Sequence, residues 1–268
     1  MYEFDYENKV WGSVVPTESP FCLAGLRFHY FLKAISGKTG KLLEIGCGAG
    51  GNLAGISKYR PYLNLYGVDI GTQAIEYGRT KFRKLNLNVG SATSLEWEEN
   101  TFNIVCFFDV LEHVDDPAKC IFEAARVLEK GGLFHAYIPV EGEMLTLHGL
   151  FNRLGVNLKE KTAGHIQKLT KGQILEMCDK SGLVVRECIW SCHLLNQIGD
   201  LAYYFILTIT GRRLNLSLEE KINKEGFSVI GVIGKLLKNL ISCIWYWESR
   251  IFWFIPGAGI HITCIKKV

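Results

Sequence analysis

Between Leu42 and Asn52 the chain reads LLEIGCGAGGN: a carboxylate at 44, glycines at 46, 48, 50 and 51, and then a second carboxylate, Asp69, 18 positions beyond the last glycine. Glycine is costly in regular structure, so such a cluster marks backbone that bends sharply or lies close to something else. An apolar strand ending at Gly46 and a helix opening near Gly51 would face backbone N–H groups and a helix N-terminus towards a ligand. Gly46, Gly48 and Gly51 also satisfy G-x-G-x-x-G, so the loop taken alone suits a dinucleotide. Asp69, at the end of the strand in YGVDIG, can accept both hydroxyl protons of a ribose, which makes a nucleoside the expected content of the crevice. Glu44 separates the nucleosides. Its charge, placed inside a strand, needs a cationic or N–H partner; a pyrophosphate would be repelled by it, whereas the ammonium of an amino-acid cofactor would not.

Glu44, Gly46, Gly48 and Gly50 resemble E-x-G-x-G-x-G, the first motif of the class I S-adenosylmethionine-dependent methyltransferases. FNIVCFFDVLEHVDDP, followed by RVLEKGG, is similar to the fourth-strand motif and next helix of the small-molecule branch that includes quinone-biosynthesis enzymes. GHIQKLTKGQILEMCDKSGL resembles the stretch before their sixth strand. The resemblance covers about residues 40–190 and the final strand. It implies S-adenosyl-L-methionine as cofactor, with Gly46, Cys47, Gly48 and Gly50 near the methionine moiety beside Glu44. Asp69 would hold the ribose, Ile70 would pack on adenine, and Phe108, Asp109 and Val110 would line the pocket. Ser91 stands where many relatives carry an acidic residue near adenine, so Ala92 is expected to supply that contact through its backbone.

With an electrophilic methyl to transfer, alignment of the acceptor and exclusion of water supply most of the acceleration. A hydroxyl or amine acceptor also calls for a base, and His113 in LEHV, directly after the cofactor strand, is the leading candidate. The alternative is that His113 bonds backbone and shapes the loop. His148 and His165, in the long connection 140–169, read as structural or solvated residues, and Glu141 and Glu143 emerge where crevice residues do. The nine cysteines are odd in number, scattered and without a C-x-x-C pair, so no metal and no disulfide framework is expected.

These residues must be positioned by a scaffold. Strand-like runs at 41–46, 63–69, 87–92, 102–109, 133–139, 183–188 and 260–267 alternate with helix candidates at about 51–60, 72–85, 116–129 and 170–181. That order predicts an α/β fold, a doubly wound, seven-stranded, mostly parallel Rossmann-like sheet. Asp116 with Pro117, and Thr170 with a closing Gly182, read as helix boundaries. Residues 1–40 are expected to form an N-terminal helical cap that closes over the cofactor through Tyr2, Tyr6 or Trp11; 41–189 and 258–268 form the cofactor-binding domain; 190–257 form an apolar helical insertion.

The chain beyond Trp190, residues 191–268, departs from the rest in charge, with 9 Lys/Arg against 5 Asp/Glu, in a chain whose net charge is +3. Ile233, Leu236, Leu237, Leu240, Ile241, Ile244 and Trp245 recur at helical spacing, leaving Lys235, Lys238, Asn239 and Ser242 on the other side. The apolar run is shorter than the ~20 residues that span a bilayer. Two readings stand: the stripe packs on the sheet, as a lid or dimer interface, or the helices lie in a membrane interface and present a lipid-like acceptor. The acidic, aromatic start MYEFDYENKV lacks a signal-peptide pattern, and a cytoplasmic location, with or without membrane association, is expected. No arginine-rich stripe appears, so nucleic acid is not the expected acceptor. An NAD-dependent oxidoreductase uses the same loop but leaves Glu44 and DVLEH unexplained, and a non-catalytic nucleoside-binding scaffold is the third reading.

Overall fold

In the computed structural model, which describes residues 10–210 and 229–268, each apolar run pairs into one sheet. The strands are β1 (Gly40–Ile45), β2 (Leu63–Asp69), β3 (Asn86–Val89), β4 (Phe102–Phe108), β5 (Leu128–Pro139), β6 (Leu183–Ser191) and β7 (Gly259–Lys266). Their order is β3-β2-β1-β4-β5-β7-β6. All pairings are parallel except those of β7, which runs antiparallel to β5 and β6. The central strands are apolar on both faces because helices cover both. On one side α1 (Gly25–Ala34), α2 (Gly51–Tyr59) and α3 (Thr72–Lys81) bury Phe31, Leu53 and Ile75. On the other, α4 (Pro117–Val127) and α7 (Lys171–Lys180) bury Ile121, Ala124 and Ile174 against Phe107 and Phe134.

The two helix starts legible in the sequence form as capped ends. Asp116 Oδ1 accepts from the Lys119 N–H at 2.9 Å, with Pro117 in the first turn. Thr170 and Gln173 make a reciprocal capping box, which satisfies two N–H groups that the first helical turn leaves without partners. β3 is shorter than expected: Ser91 and Ala92 lie past its end, where the Ser91 hydroxyl meets that of Thr93 at 3.0 Å and the chain turns back. β5 begins earlier, at Leu128. Within 140–169 two short helices form, α5 (Leu147–Arg153) and α6 (Leu158–Ala163).

Residues 10–24, in the region expected as a helical cap, hold no helix; only α1 does, and Tyr2 and Tyr6 lie outside the described residues. Between β6 and β7 stand α8 (Leu194–Ile209) and α9 (Val229–Ile251). The amphipathic period of α9 is present, and within this one chain its apolar stripe faces outward. Leu236, Leu237, Leu240, Ile241 and Ile244 are exposed, whereas Lys238, Ser242, Glu248 and Ser249 are buried. The buried polar groups find partners in the protein: Lys238 donates to the Phe21 carbonyl at 2.7 Å, Ser242 to that of Pro20 at 2.8 Å, and Glu248 accepts from the N–H groups of Leu195 and Asn196 at the start of α8.

Candidate active site

The glycine loop is built by replacing side chains with close backbone contacts. Gly46 has φ +70°, and a Cβ there would run into Val110. Its neighbours fold back on themselves and on the N-terminal segment: the Gly46 and Cys47 N–H groups donate to the Val68 carbonyl, that of Ala49 to Trp11 and that of Gly51 to Gly12, at 2.7–3.1 Å. The Gly48 N–H donates to Asp69 Oδ2 at 2.7 Å, and Gly71 N–H to Oδ1 at 2.8 Å. The donors that a pyrophosphate would require are thus committed within the protein. Burial raises the pKa of Asp69, and these two N–H bonds oppose it.

Glu44 is buried beneath the loop and does not face the crevice. Its Oε1 accepts from Asn52 Nδ2 at 2.7 Å, while Oε2 has no partner. Burial, reinforced by the charge of Asp69 and opposed by the Asn52 bond, pushes its pKa up to about 8. Asn52, in the first turn of α2, does line the crevice. Sequence reasoning missed it, because nothing in a one-dimensional pattern pairs a strand residue with a helix residue eight positions on. Gly50, the N-cap of α2 with φ +81°, faces Leu85 and Leu87 instead.

One cavity of about 1250 Å³ gathers the remaining predicted residues. Gly46, Cys47, Gly48, Asp69, Ile70, Ser91, Ala92, Phe108, Asp109, Val110 and His113 line it. Asp109 sits in the left-handed region at φ 53°, uncommon for a residue with a side chain. Arg27, on α1, pairs with its carboxylate and stacks over the Tyr137 ring at 5.1 Å. The cavity continues away from the loop, past Tyr137, to Trp245 and Tyr246 of α9.

His113 Nδ1 lies 3.1 Å from the Gly164 carbonyl, so in the neutral ring that nitrogen carries the proton, and Nε2 stands 3.9 Å from Glu112 Oε1. Burial, helped by the neighbouring His165, brings its pKa down to about 4. The loop-shaping bond weighed in the sequence is therefore present. His165 Nδ1 bonds Glu141 Oε1 at 2.8 Å, and Lys159 ties Glu141 to Asp200 at 3.1 and 2.6 Å, with His148 on Asp200 at 3.2 Å. Burial alone would depress the Lys159 ammonium, but Asp200 and Glu141 outweigh it and hold its pKa well above the usual lysine value. His148 and His165 are thus members of a buried charged network, not solvated side chains. Glu143 caps α7 by accepting from the Lys171 N–H at 2.7 Å. Glu112, His113 and His165 each bring one ligand atom within 4.8 Å of the others, a set compact enough to hold a metal ion that cysteine spacing did not reveal. Both Glu112 oxygens are buried without a hydrogen-bond partner.

A family model described as a methyltransferase domain matches residues 43–136, the span from β1 through the glycine loop and Asp69 to β5. Over that span the chain is similar to methyltransferases, as the class I S-adenosylmethionine-dependent fold around it would lead one to expect. Similar proteins include an uncharacterized methyltransferase of Schizosaccharomyces pombe, 32% identical over 38% of this chain and 41% of that one. The ubiquinone biosynthesis O-methyltransferase of Vibrio cholerae is 29% identical over 59% of this chain and 67% of its own. The matched region thus spans about two-fifths and two-thirds of these relatives. Among solved structures, a geranyl diphosphate methyltransferase in complex with GPP and sinefungin shares the fold at TM-score 0.56 and 15% identity, covering 90% of this chain and 77% of that one. The [4+2]-cyclase SpnF shares it at TM-score 0.60 and 15% identity, over 96% and 86%.

The cofactor that this similarity implies is S-adenosylmethionine. The residues present fit it. The Asn52 amide, backed by the buried Glu44, supplies a polar group at the cavity wall for an amino-acid head, and Asp69 keeps lone pairs beyond its two N–H bonds for a ribose.

Proposed function

We propose that this chain transfers the methyl group of S-adenosylmethionine to a small, apolar or lipid-linked acceptor held in the same cavity. The observation that supports it most directly is the continuity of that cavity from the glycine loop to the aromatic inner side of α8 and α9, in a volume above the ~300–1,000 Å³ that one drug-sized ligand occupies. Glu44, through Asn52, and Asp69 would hold the cofactor; Ile70, Ser91 and Ala92 would border its base; Phe108, Asp109 and Val110 would close the side nearest the acceptor. When bound, S-adenosylmethionine supplies an electrophilic methyl on a sulfonium. The protein's own part is to hold acceptor and cofactor in line and exclude water. His113, which lines the same cavity and which burial keeps neutral, would take a proton from an acceptor hydroxyl or amine. Labelled-methyl transfer into extracted metabolites tests this; tight cofactor binding with no labelled product would favour the scaffold reading.

A second part of the proposal concerns where the acceptor comes from. The outward faces of α8 and α9 and the turn after them expose Phe205, Ile206, Leu236, Leu237, Leu240, Trp247, Trp253 and Phe254. Such a surface exceeds the scattered apolar residues of an ordinary monomer and carries interfacial tryptophans. No helix among the described residues is long and apolar enough to cross a membrane. We infer that this face rests in a lipid surface from which the acceptor enters. Trp245 is not part of it, for its ring packs on Gly199 inside; Trp247→Ser and Trp253→Ser are the informative changes, and unaltered sedimentation with anionic vesicles would remove the reading.

A further inference from the structure

The far end of the cavity holds polar groups that the cofactor arm does not use. On β7, His261 lies opposite Tyr137 of β5 and Ile189 of β6, and Ser191 is two positions along β6 from Ile189, so all of them share one face of the sheet. His261 is 2% exposed and Ser191 1%. Neither ring nitrogen of His261 nor the Ser191 hydroxyl has a hydrogen-bond partner, although both residues line the cavity. Buried polar groups are ordinarily paired, and leaving them unpaired costs stability. Three such atoms on adjacent strands, open to one cavity, are therefore groups with a missing partner.

The surroundings define that partner. The Tyr30 and Tyr137 rings flank the imidazole at centroid distances of 4.8 and 4.9 Å, so only its edge is available. The Tyr137 hydroxyl is taken by Cys192 Sγ at 3.0 Å, and the neighbouring His135 Nδ1 by Thr263 at 2.9 Å. Arg27, whose charge acts on His261, is already paired with Asp109. Burial, with His135, Arg27 and His29 acting in the same direction, holds His261 far below its usual pKa and hence neutral. A neutral imidazole offers one donor and one acceptor, and a serine hydroxyl offers both. Among the described residues, the cation acting on His261 is already paired, which disfavours an anion, and an ammonium would meet Arg27.

We propose that His261 and Ser191 form a second subsite of the acceptor cavity, binding an uncharged hydroxyl or carbonyl oxygen on an otherwise apolar molecule. The subsite rests on the methyltransferase reading and adds to it. His261 stands two strands from β4, on the order of 10 Å from Asp109 at the 4.7–4.9 Å spacing of a sheet. The oxygen it holds is thus a handle remote from the reacting atom, and His261 and Ser191 are positioning residues. Because a site built to bond an oxygen rejects a ligand that lacks one, they would set acceptor specificity.

The test uses the full chain saturated with S-adenosylhomocysteine and titrated with 1-octanol, 1-fluorooctane, octylamine and octanoate. The expected result is that octanol binds at least about tenfold more tightly than each of the other three. His261→Phe should abolish the preference over fluorooctane while leaving S-adenosylhomocysteine affinity unchanged, and Ser191→Ala should reduce it. Imidazole resonances of labelled His261 should shift with octanol and not with fluorooctane, which decides the matter even if His261→Phe does not fold. Equal binding of octanol and fluorooctane to the wild-type chain, or an unaltered preference in His261→Phe, overturns the subsite. Failure to bind S-adenosylhomocysteine overturns the underlying reading instead.

Discussion

The glycine loop and the α8/α9 pair solve opposite problems. At the loop, every turn of backbone is satisfied from within: Gly48 by Asp69, Ala49 and Gly51 by the carbonyls of Trp11 and Gly12. What remains open there is the polar chemistry a charged nucleoside requires. At α9 the helix turns its polar side inward, where Lys238, Ser242 and Glu248 are bonded to backbone, and its leucines outward. The lesson is that hydrophobic period fixes a stripe but not the side on which the protein lies. At the loop the protein supplies both walls; at the helical pair one wall is left to the surroundings.

The largest effect should come from the loop. Asp69→Ala removes the acceptor for two backbone N–H groups and for the ribose, and should weaken S-adenosylhomocysteine binding ~100–1,000-fold by calorimetry. A loss below about threefold would show that the loop does not grip the cofactor as described.

The network joining the connection 140–169 to α8 should respond next. Lys159→Met leaves Glu141 and Asp200 without their cation and should cost about 2–4 kcal/mol in denaturant unfolding, the lower part of the usual range because the Asp200 side chain keeps 27% exposure. Burial works to raise both carboxyl pKa values, but Lys159 and the adjoining histidines win, so both lie below their ordinary 4.5 and 3.8. The stability they confer is complete above those values and drains away as pH falls through the lower folded ones, so the wild-type chain should weaken below about pH 4.5. In Lys159→Met the sign reverses: buried carboxylates without a cation favour the protonated form, and stability should rise between about pH 7 and 5.

Gly46→Ala tests the packing of the loop itself. A left-handed φ and the overlap with Val110 together should cost about 2–4 kcal/mol. The smallest effect on stability belongs to the other region: Trp247→Ser should change it by less than about 1 kcal/mol, because its half-exposed ring has one edge contact, with Tyr246, while vesicle affinity drops several-fold. A large loss of stability from that change would show a packed face and erase the contrast between the regions.

Much of this was legible in the chain. Seven apolar runs gave the strands, Asp116 and Thr170 gave helix starts, and the glycine spacing and Asp69 marked residues that the fold brings to one cavity, since these signals depend on neighbours within a few residues. What depended on distant neighbours was not legible. Glu44 lies beneath the loop with Asn52 because strand and helix meet there. The buried network of Lys159, Glu141 and Asp200 joins segments forty residues apart. His261 reads as one alternating residue of an apolar strand, and only the sheet order puts it beside Ser191.

The measurement that bears most directly on the central claim is methyl transfer from labelled S-adenosylmethionine into a whole-cell extract, followed by partition between organic and aqueous phases. The account predicts label entering the organic phase, dependent on Asp69. Label confined to the aqueous phase, or none at all from a protein that binds the cofactor, would contradict it.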